Sequence, residues 1–567
     1  MRPPRAILRW RRGAGGDIFA SMKTALRFLL AMIPLWAGTV APGQVAGHLR
    51  APATEPADAL PIGVPLQAGA PRLVAPPVRR GSSTVRATVG APDLVHVPSA
   101  TFAMGNPYSH LNEGWPSELP LHEVTVSPFL MGRTEVTTSL AAGLLQHACD
   151  RGLAAITLAT NGLPYAVVSL EDADRPPLMY LQGLSTNVHV TYDPAAGAFA
   201  VRPGKEDFPA FYVTWYGALA MANYLSDALG LPRAADPANG WAVALDAPGF
   251  RIPTEAEWER AARGDLAGYP THFPWPNDSV HGDENYAYSI DPWKANYTDY
   301  RFVYSSNGIA SHPRHPWFGE RVRTTPVAWY DGHQVVTNTE YVPASFVGAD
   351  YGQTNDMANS LGLYDMAGNV AEWCLDYIHD YTGAPATNPC ATVPTIADTN
   401  TAHYRIFRGG AWTQCWPTEY YDSSLLRCSF RKWAYPAFYA EAINGFRLVR
   451  PLTPYETWAA AHFGSPLAPD AAPDADPDVD RFPNASEFPA CTDPTDSASR
   501  LAVTGLSTAP LSLTFPAVSG LVYAVEAAAP AAKPDWQPVG TVTSTATGPM
   551  TLPVPSTNAA FLRVTLP

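Results

Sequence analysis

The chain is poor in charge and in thiols. Only 16% of its 567 residues are Asp, Glu, Lys or Arg, and six are cysteine, none of them in a C-x-x-C pair. The missing C-x-x-C removes the zinc-ribbon and thioredoxin-type readings. Basic residues are the scarcer kind: 37 Lys and Arg stand against 51 Asp and Glu, a formal net charge of -14, with no long basic stripe after the N-terminal segment. A protein that neutralises phosphates needs the opposite balance, so nucleic acid is excluded as a partner. A long apolar run is lacking too. Residues 28–41 (FLLAMIPLWAGTVA) are apolar but short for a bilayer and interrupted by Pro34. Lys23 and Arg27 precede that run and small residues follow, the layout of a secretory signal. We read residues 1–46 as a signal peptide, with Met22 as an alternative start. The expected location is secreted, periplasmic or cell-envelope, and a membrane enters only if the segment stays uncleaved. In an exported chain, six cysteines permit disulfides without fixing their pairing.

Proline, in contrast, is abundant, with 58 residues, and there are 16 tryptophans. Proline interrupts long helices and strands, which predicts an α+β fold of low secondary-structure content. The tryptophans are expected mainly as core anchors. The length calls for more than one core. Residues 47–88 read as a Pro/Ala-rich linker, and 89–452 are dense in aromatics and turn signals. Residues 453–500 form an acidic Pro/Asp-rich linker. Residues 501–567 carry short alternating runs (LSLTFPAV, VYAVEA, FLRVTL) that predict a small all-β, sandwich-like module. Within the central stretch, Thr214 caps a helix that runs to about Leu229 and ends at Gly230. Thr254-Glu255-Ala256-Glu257 is a capping box for a second helix closed by Gly264. A third helix is expected after Thr134, near LAAGLLQHA. Residues 188–203 read as a hairpin turning at PAAG.

Seven segments carry a resemblance. They are VPSATFAMGN (97–106), HEVTVSPFLMGRTEVT (122–137), VTWYGALAMANYLS (213–226), GFRIPTEAEWERAARG (249–264), GLYDMAGNVAEW (362–373), FRGGAW (407–412) and NGFRLVR (444–450). In this order they resemble the formylglycine-generating enzyme, or sulfatase-modifying factor, family over about 92–451. The resemblance implies a compact, irregular fold related to C-type lectins and often stabilised by calcium. It also implies an oxidase that converts a sulfatase cysteine to formylglycine with O₂ and copper, or one of the family's members without that activity.

The family's oxidase holds Cu(I) between two thiolates that follow a GGS(W/Y) turn, soft ligands for a soft ion. Here the turn reads Gly409-Gly410-Ala411-Trp412. Ala411 replaces the serine expected to position O₂. Gln414 matches the first copper cysteine, and Glu419 falls at or near the second. A one-residue slip would offer Cys415, with Cys428 as partner. The alternative is a disulfide or a core thiol. Trp412, Arg427 and Arg431 would line the substrate groove, unless the arginines clamp loop carboxylates instead.

For calcium, the resemblance implies ligation by the Asp365 and Glu372 side chains and the Gly368 and Val370 carbonyls. The alternative is a plain turn with Glu372 in an ion pair. A second family site would use Asn296 and the Tyr297 carbonyl. A third rests on spacing alone. Asp476, Asp478, Asp480, Phe482, Asn484 and Glu487 occupy positions 1, 3, 5, 7, 9 and 12 of an EF-hand loop, with Arg481 where a glycine is usual. Its alternative is a solvated acidic linker. Three functions follow. The favoured one is a family member that binds a polypeptide or glycan without oxidising it, because the copper cysteine pair is unmatched. The others are a copper-dependent formylglycine-generating oxidase and a cell-envelope scaffold.

Overall fold

The computed structural model describes residues 72–74, 89–107, 116–181, 188–264, 273–275, 295, 324–333, 356–393, 404–412, 425–499, 503–508, 510–528, 536–554 and 561–565. The signal segment, Asn296, Tyr297, Gln414, Cys415 and Glu419 lie outside the described residues.

Helices are few and each has a local cause. Helix α1, Thr138–Asp150, is capped by Thr137, whose hydroxyl accepts the Leu140 amide. Thr134 lies one turn too early to cap it. Backbone bonds from Gly132 to Leu448 and from Val136 to Phe446 keep the chain extended through that point. Helix α2, Trp215–Ala228, starts at Thr214 as expected, and Gly230 beyond it takes φ 71°. Its burial is nearly all-round rather than on one face, and only Leu229 at its end emerges. Gly217 allows this: a Cβ there would stand 1.8 Å from the Leu178 carbonyl oxygen. Helix α3, Glu255–Arg263, has both bonds of its capping box, and Gly264 closes it at φ 65°. All nine of its residues are buried, charged ones included. Helices α4, Pro454–Phe463, and α5, Asn484–Ala490, fall in the stretch expected as a linker.

Short sheets supply the rest. Leu94–Val97, Phe129–Gly132 and Val449–Pro451 form one antiparallel sheet, so the two ends of the central stretch meet. A four-stranded sheet orders Lys432–Pro436, Tyr404–Arg408, Ala371–Tyr377 and Asn444–Gly445. Another places Arg72–Val74 beside Ala154–Leu158, then Pro164–Ser169 and Pro177–Tyr180. The hairpin Val190–Asp193 with Ala198–Val201 pairs in antiparallel register, with Gly197 in the turn at φ 62°. From 505 to 565 six strands make two three-stranded sheets over a small core that includes Phe515 and Tyr523.

Two apolar clusters dominate the central stretch. One gathers Trp215, Trp373, Phe250 and Phe407, and the other Trp258, Met366, Cys374 and Cys428. Burying a side chain of this size contributes about 2–3 kcal/mol. Each indole N–H also finds an acceptor: Trp215 donates to the Cys374 carbonyl (3.0 Å), and Trp373 to the Val213 carbonyl (2.9 Å). The tryptophans thus tie helices to strands through both packing and a hydrogen bond.

Candidate functional site

The turn at 365–372 and the turn at 409–412 are stitched together. The Gly368 amide donates to the Gly409 carbonyl (2.7 Å), and the Trp412 amide to the Asn369 carbonyl (3.0 Å). Asp365, Asn369, Gly409 and Gly410 all have positive φ. A Cβ on Gly410 would meet Leu426 Cδ2 at 2.6 Å, so this position admits glycine alone. Trp412 is half-buried against Phe211, Tyr212 and Val370, and its indole N–H donates to the Ala442 carbonyl (3.1 Å).

Four N–H contacts occupy Glu372. Trp258 Nε1 donates to Oε2 (2.7 Å), Arg447 Nε donates to both oxygens (3.1 Å each), and Arg447 Nη2 donates to Oε1 (2.7 Å). Both Glu372 and Arg447 are fully buried. A calcium ion on Glu372 would displace this guanidinium or sit beside it. The charge of Glu372 is thus already met by Arg447, and the ion-pair alternative describes it.

The unbalanced charge lies one step away, at Asp365 and Glu135. Burial pushes the Asp365 carboxyl up to about 6, although the Ala328 amide (2.6 Å) and Arg447 pull it back. Glu135 is raised well above the ordinary range by burial, by Asp365 and by Glu372. Glu135 accepts from Asn369 Nδ2 (3.2 Å) and the Val370 amide (3.3 Å), and among the described residues it pairs with no arginine of its own.

Cys428 is fully buried in the cluster around Trp258. A copper centre that must admit a substrate thiol needs its thiolates at an open face. No disulfide joins any two of the described cysteines. The two arginines named for the groove lie inside. Arg427 Nη2 holds Glu118 Oε1 (2.5 Å), with both groups buried. Arg431 grips Glu255 through Nε (2.6 Å) and Nη2 (2.9 Å). Their guanidinium groups clamp carboxylates, which corrects the groove reading for both.

Glu255, Asp376 and His379 also bring ligand atoms within 4.8 Å of one another. Glu255 there is already neutralised, while burial and Glu255 itself raise the Asp376 carboxyl. Burial works to raise the Glu255 carboxyl, yet Arg431, Arg408 and His379 hold it below the ordinary range. Arg408 in turn bonds Glu259, which also receives Arg263 (2.6 Å). The acidic loop differs. Asp476, Asp478 and Asp480 converge within the same 4.8 Å, and no arginine side chain is bonded to Asp476 or Asp478.

Residues 82–452 match the sulfatase-modifying factor enzyme 1-like domain, more than half of the chain. The chain belongs to that family. This sulfatase-modifying factor-type protein is 26% identical over 328 residues to the formylglycine-generating enzyme of Streptomyces coelicolor, with 56% of this chain and 78% of that protein aligned. It is 27% identical over 364 residues to the serine/threonine-protein kinase Pkn1 of Chlamydia trachomatis, which aligns with 63% of this chain and 38% of the kinase. Among solved structures, Treponema denticola variable protein 1 aligns with 63% of this chain and 95% of its own, at 19% identity and a TM-score of 0.35.

Within the sulfatase-modifying factor domain, sequence reasoning missed Glu135, Glu118 and Glu259. Each is an acid in a buried setting, 0% to 2% exposed. For Glu118 and Glu259 the available signal was the run of arginines Arg408, Arg427, Arg431 and Arg447, each of which needs a counter-ion if buried; for Glu135 there was none.

Proposed function

We propose that this chain is an exported member of the sulfatase-modifying factor family that binds a polypeptide or glycan and does not oxidise it. The observation that carries this reading is the burial of Cys428 beneath Trp258, together with Ala411 and Gln414 where the family oxidase has a serine and a cysteine. One sealed thiol and an amide do not make a site for a soft metal ion and a substrate thiol. The two arginines expected in the groove are spent on Glu118 and Glu255. The binding face we assign surrounds Trp412, whose ring is half-exposed over Phe211 and Tyr212. A partly exposed aromatic ring suits a sugar ring or an extended peptide. In this proposal residues 1–46 direct export, and 501–567 form a separate β module joined through 453–500.

The test is incubation with a Cys-x-Pro-x-Arg peptide, copper and O₂, followed by mass spectrometry of the peptide. The expected result is an unchanged mass under conditions in which a formylglycine-generating enzyme converts it. Repeated turnover of the cysteine would overturn the non-oxidising reading.

A further inference from the structure

We propose that residues 476–487 form a calcium-binding loop in which Asp476, Asp478, Asp480, the Phe482 carbonyl, Asn484 and Glu487 hold one ion that fixes helix α5. The three aspartates alone would be only an exposed acidic cluster. The case rests on two buried side chains that follow them. Asn484 is fully buried; its Nδ2 donates to the Asp470 carbonyl (2.7 Å) and the Ala472 carbonyl (2.8 Å), and its Oδ1 has no partner. Glu487 is 2% exposed; its Oε1 accepts from the Thr492 hydroxyl (3.1 Å), and its Oε2 has no partner. Asp478 Oδ2 is likewise buried and without a partner. An unsatisfied buried carboxylate oxygen costs about 1–3 kcal/mol or more, so a natural fold does not keep one without a reason.

The Glu487 carboxylate stands within electrostatic reach of Asp478, Asp480 and Asp476. The three aspartates themselves converge, and among the described residues no guanidinium answers Asp476, Asp478 or Glu487. All donors are oxygen, and they mix carboxylate, amide and carbonyl within twelve consecutive residues. That set selects calcium over zinc or copper. The missing loop glycine is no obstacle, because Arg481 itself adopts φ 80°.

Position explains what the ion would do. Asn484 and Glu487 open helix α5. At its other end the Pro489 carbonyl accepts the Tyr523 hydroxyl (3.0 Å), and Tyr523 is fully buried under the C-terminal strands. Phe488 packs edge-on against Tyr455 of α4. An ion at the start of α5 therefore holds the element that touches both α4 and the strand Val522–Ala528.

Calorimetry and thermal unfolding of the chelator-treated full chain, titrated with calcium chloride, test the proposal. The expected result is saturable binding with a rise in Tm that magnesium at equal concentration does not reproduce. Glu487→Gln keeps the side-chain volume and an oxygen for Thr492, so it should fold; it and Asp478→Asn should each weaken calcium binding about tenfold or more. In limited proteolysis, calcium should protect the segment after α5, and the variants should lose that protection. No heat and no Tm change up to about 10 mM calcium, beyond the weakest extracellular loops, would overturn the proposal. So would a calcium response that survives both substitutions, since the ion would then lie elsewhere.

Discussion

Two acidic turns in this molecule begin from the same chemistry and end in opposite states. At 365–372 the carboxylate of Glu372 is sealed by Arg447 and Trp258. At 476–487 one oxygen each of Asp478, Asn484 and Glu487 (Oδ2, Oδ1 and Oε2) faces no donor among the described residues. Both were candidate calcium sites by residue type. Oxygen donors at the right spacing state only what a turn offers. Whether a cation is required depends on what the rest of the chain has already brought to it.

The comparison breaks most severely at Arg447. Replacing it with Met leaves Glu372 charged, buried and without its guanidinium, which costs about 3–5 kcal/mol. Urea denaturation should show that loss or a failure to fold. A cost below about 1 kcal/mol would mean that the pair is not what satisfies the turn.

Asp365 sharpens the contrast through pH. Its folded value, about 6, lies above the ordinary 3.8 of the free side chain, with burial the largest cause. The folded state therefore holds the proton more tightly than the unfolded chain does. The contribution is fully present below about pH 4 and is lost as pH rises through about 6. The loss is on the order of 3 kcal/mol. Urea midpoints of the native protein should fall across that window, and those of Asp365→Asn should fall less. Calcium binding should be unaltered in the same variant, which separates this turn from the acidic loop.

The loop answers to an ion in place of a proton. At a calcium concentration about a hundred times the dissociation constant, the native chain gains about 2.7 kcal/mol over the chelated one. Glu487→Gln, binding about tenfold more weakly or worse, should remove about half of that difference or more, while in chelator it should be no less stable than the native chain, because a repulsive charge has gone. A variant as calcium-responsive as the native chain would make the two turns alike.

How much of this was legible in the sequence follows from distance along the chain. The caps at Thr214 and Thr254 were readable because a cap and its amide lie three residues apart. The acidic loop was readable because its donors lie within twelve residues. The fate of Glu372 was not, because Arg447 is 75 positions away, and Arg427 finds Glu118 across 309. The helix after Thr134 was legible from LAAGLLQHA, but which of the three threonines of TEVTT caps it was not, because that choice belongs to backbone bonds from distant strands. The stretch 453–500 read as a linker because Pro and Asp dominate it. It nevertheless carries two helices, each held by contacts that composition does not reveal, such as Tyr455 on the Ala471 carbonyl (2.8 Å).

The smallest effect comes from a motif that occurs twice, in the regions 251–257 and 450–456. Arg251, Thr254 and Glu257 repeat the spacing of Arg450, Thr453 and Glu456. In each, the threonine hydroxyl accepts the glutamate amide, the glutamate carboxylate returns to the threonine amide, and the arginine grips that carboxylate with two bonds of 2.6–2.7 Å. The two differ in burial: the Arg251 and Glu257 side chains are 3% and 11% exposed, those of Arg450 and Glu456 12% and 17%. Thr→Ala removes one cap bond in either place, worth about 1 kcal/mol. At Thr254 the Glu257 amide is then stranded where water does not reach, which adds about 1 kcal/mol or more. Thermal unfolding of the two single variants should therefore rank Thr254→Ala below Thr453→Ala. Equal losses would mean that the cap bond alone sets the cost and that burial, the property that separates the two regions, adds nothing to it.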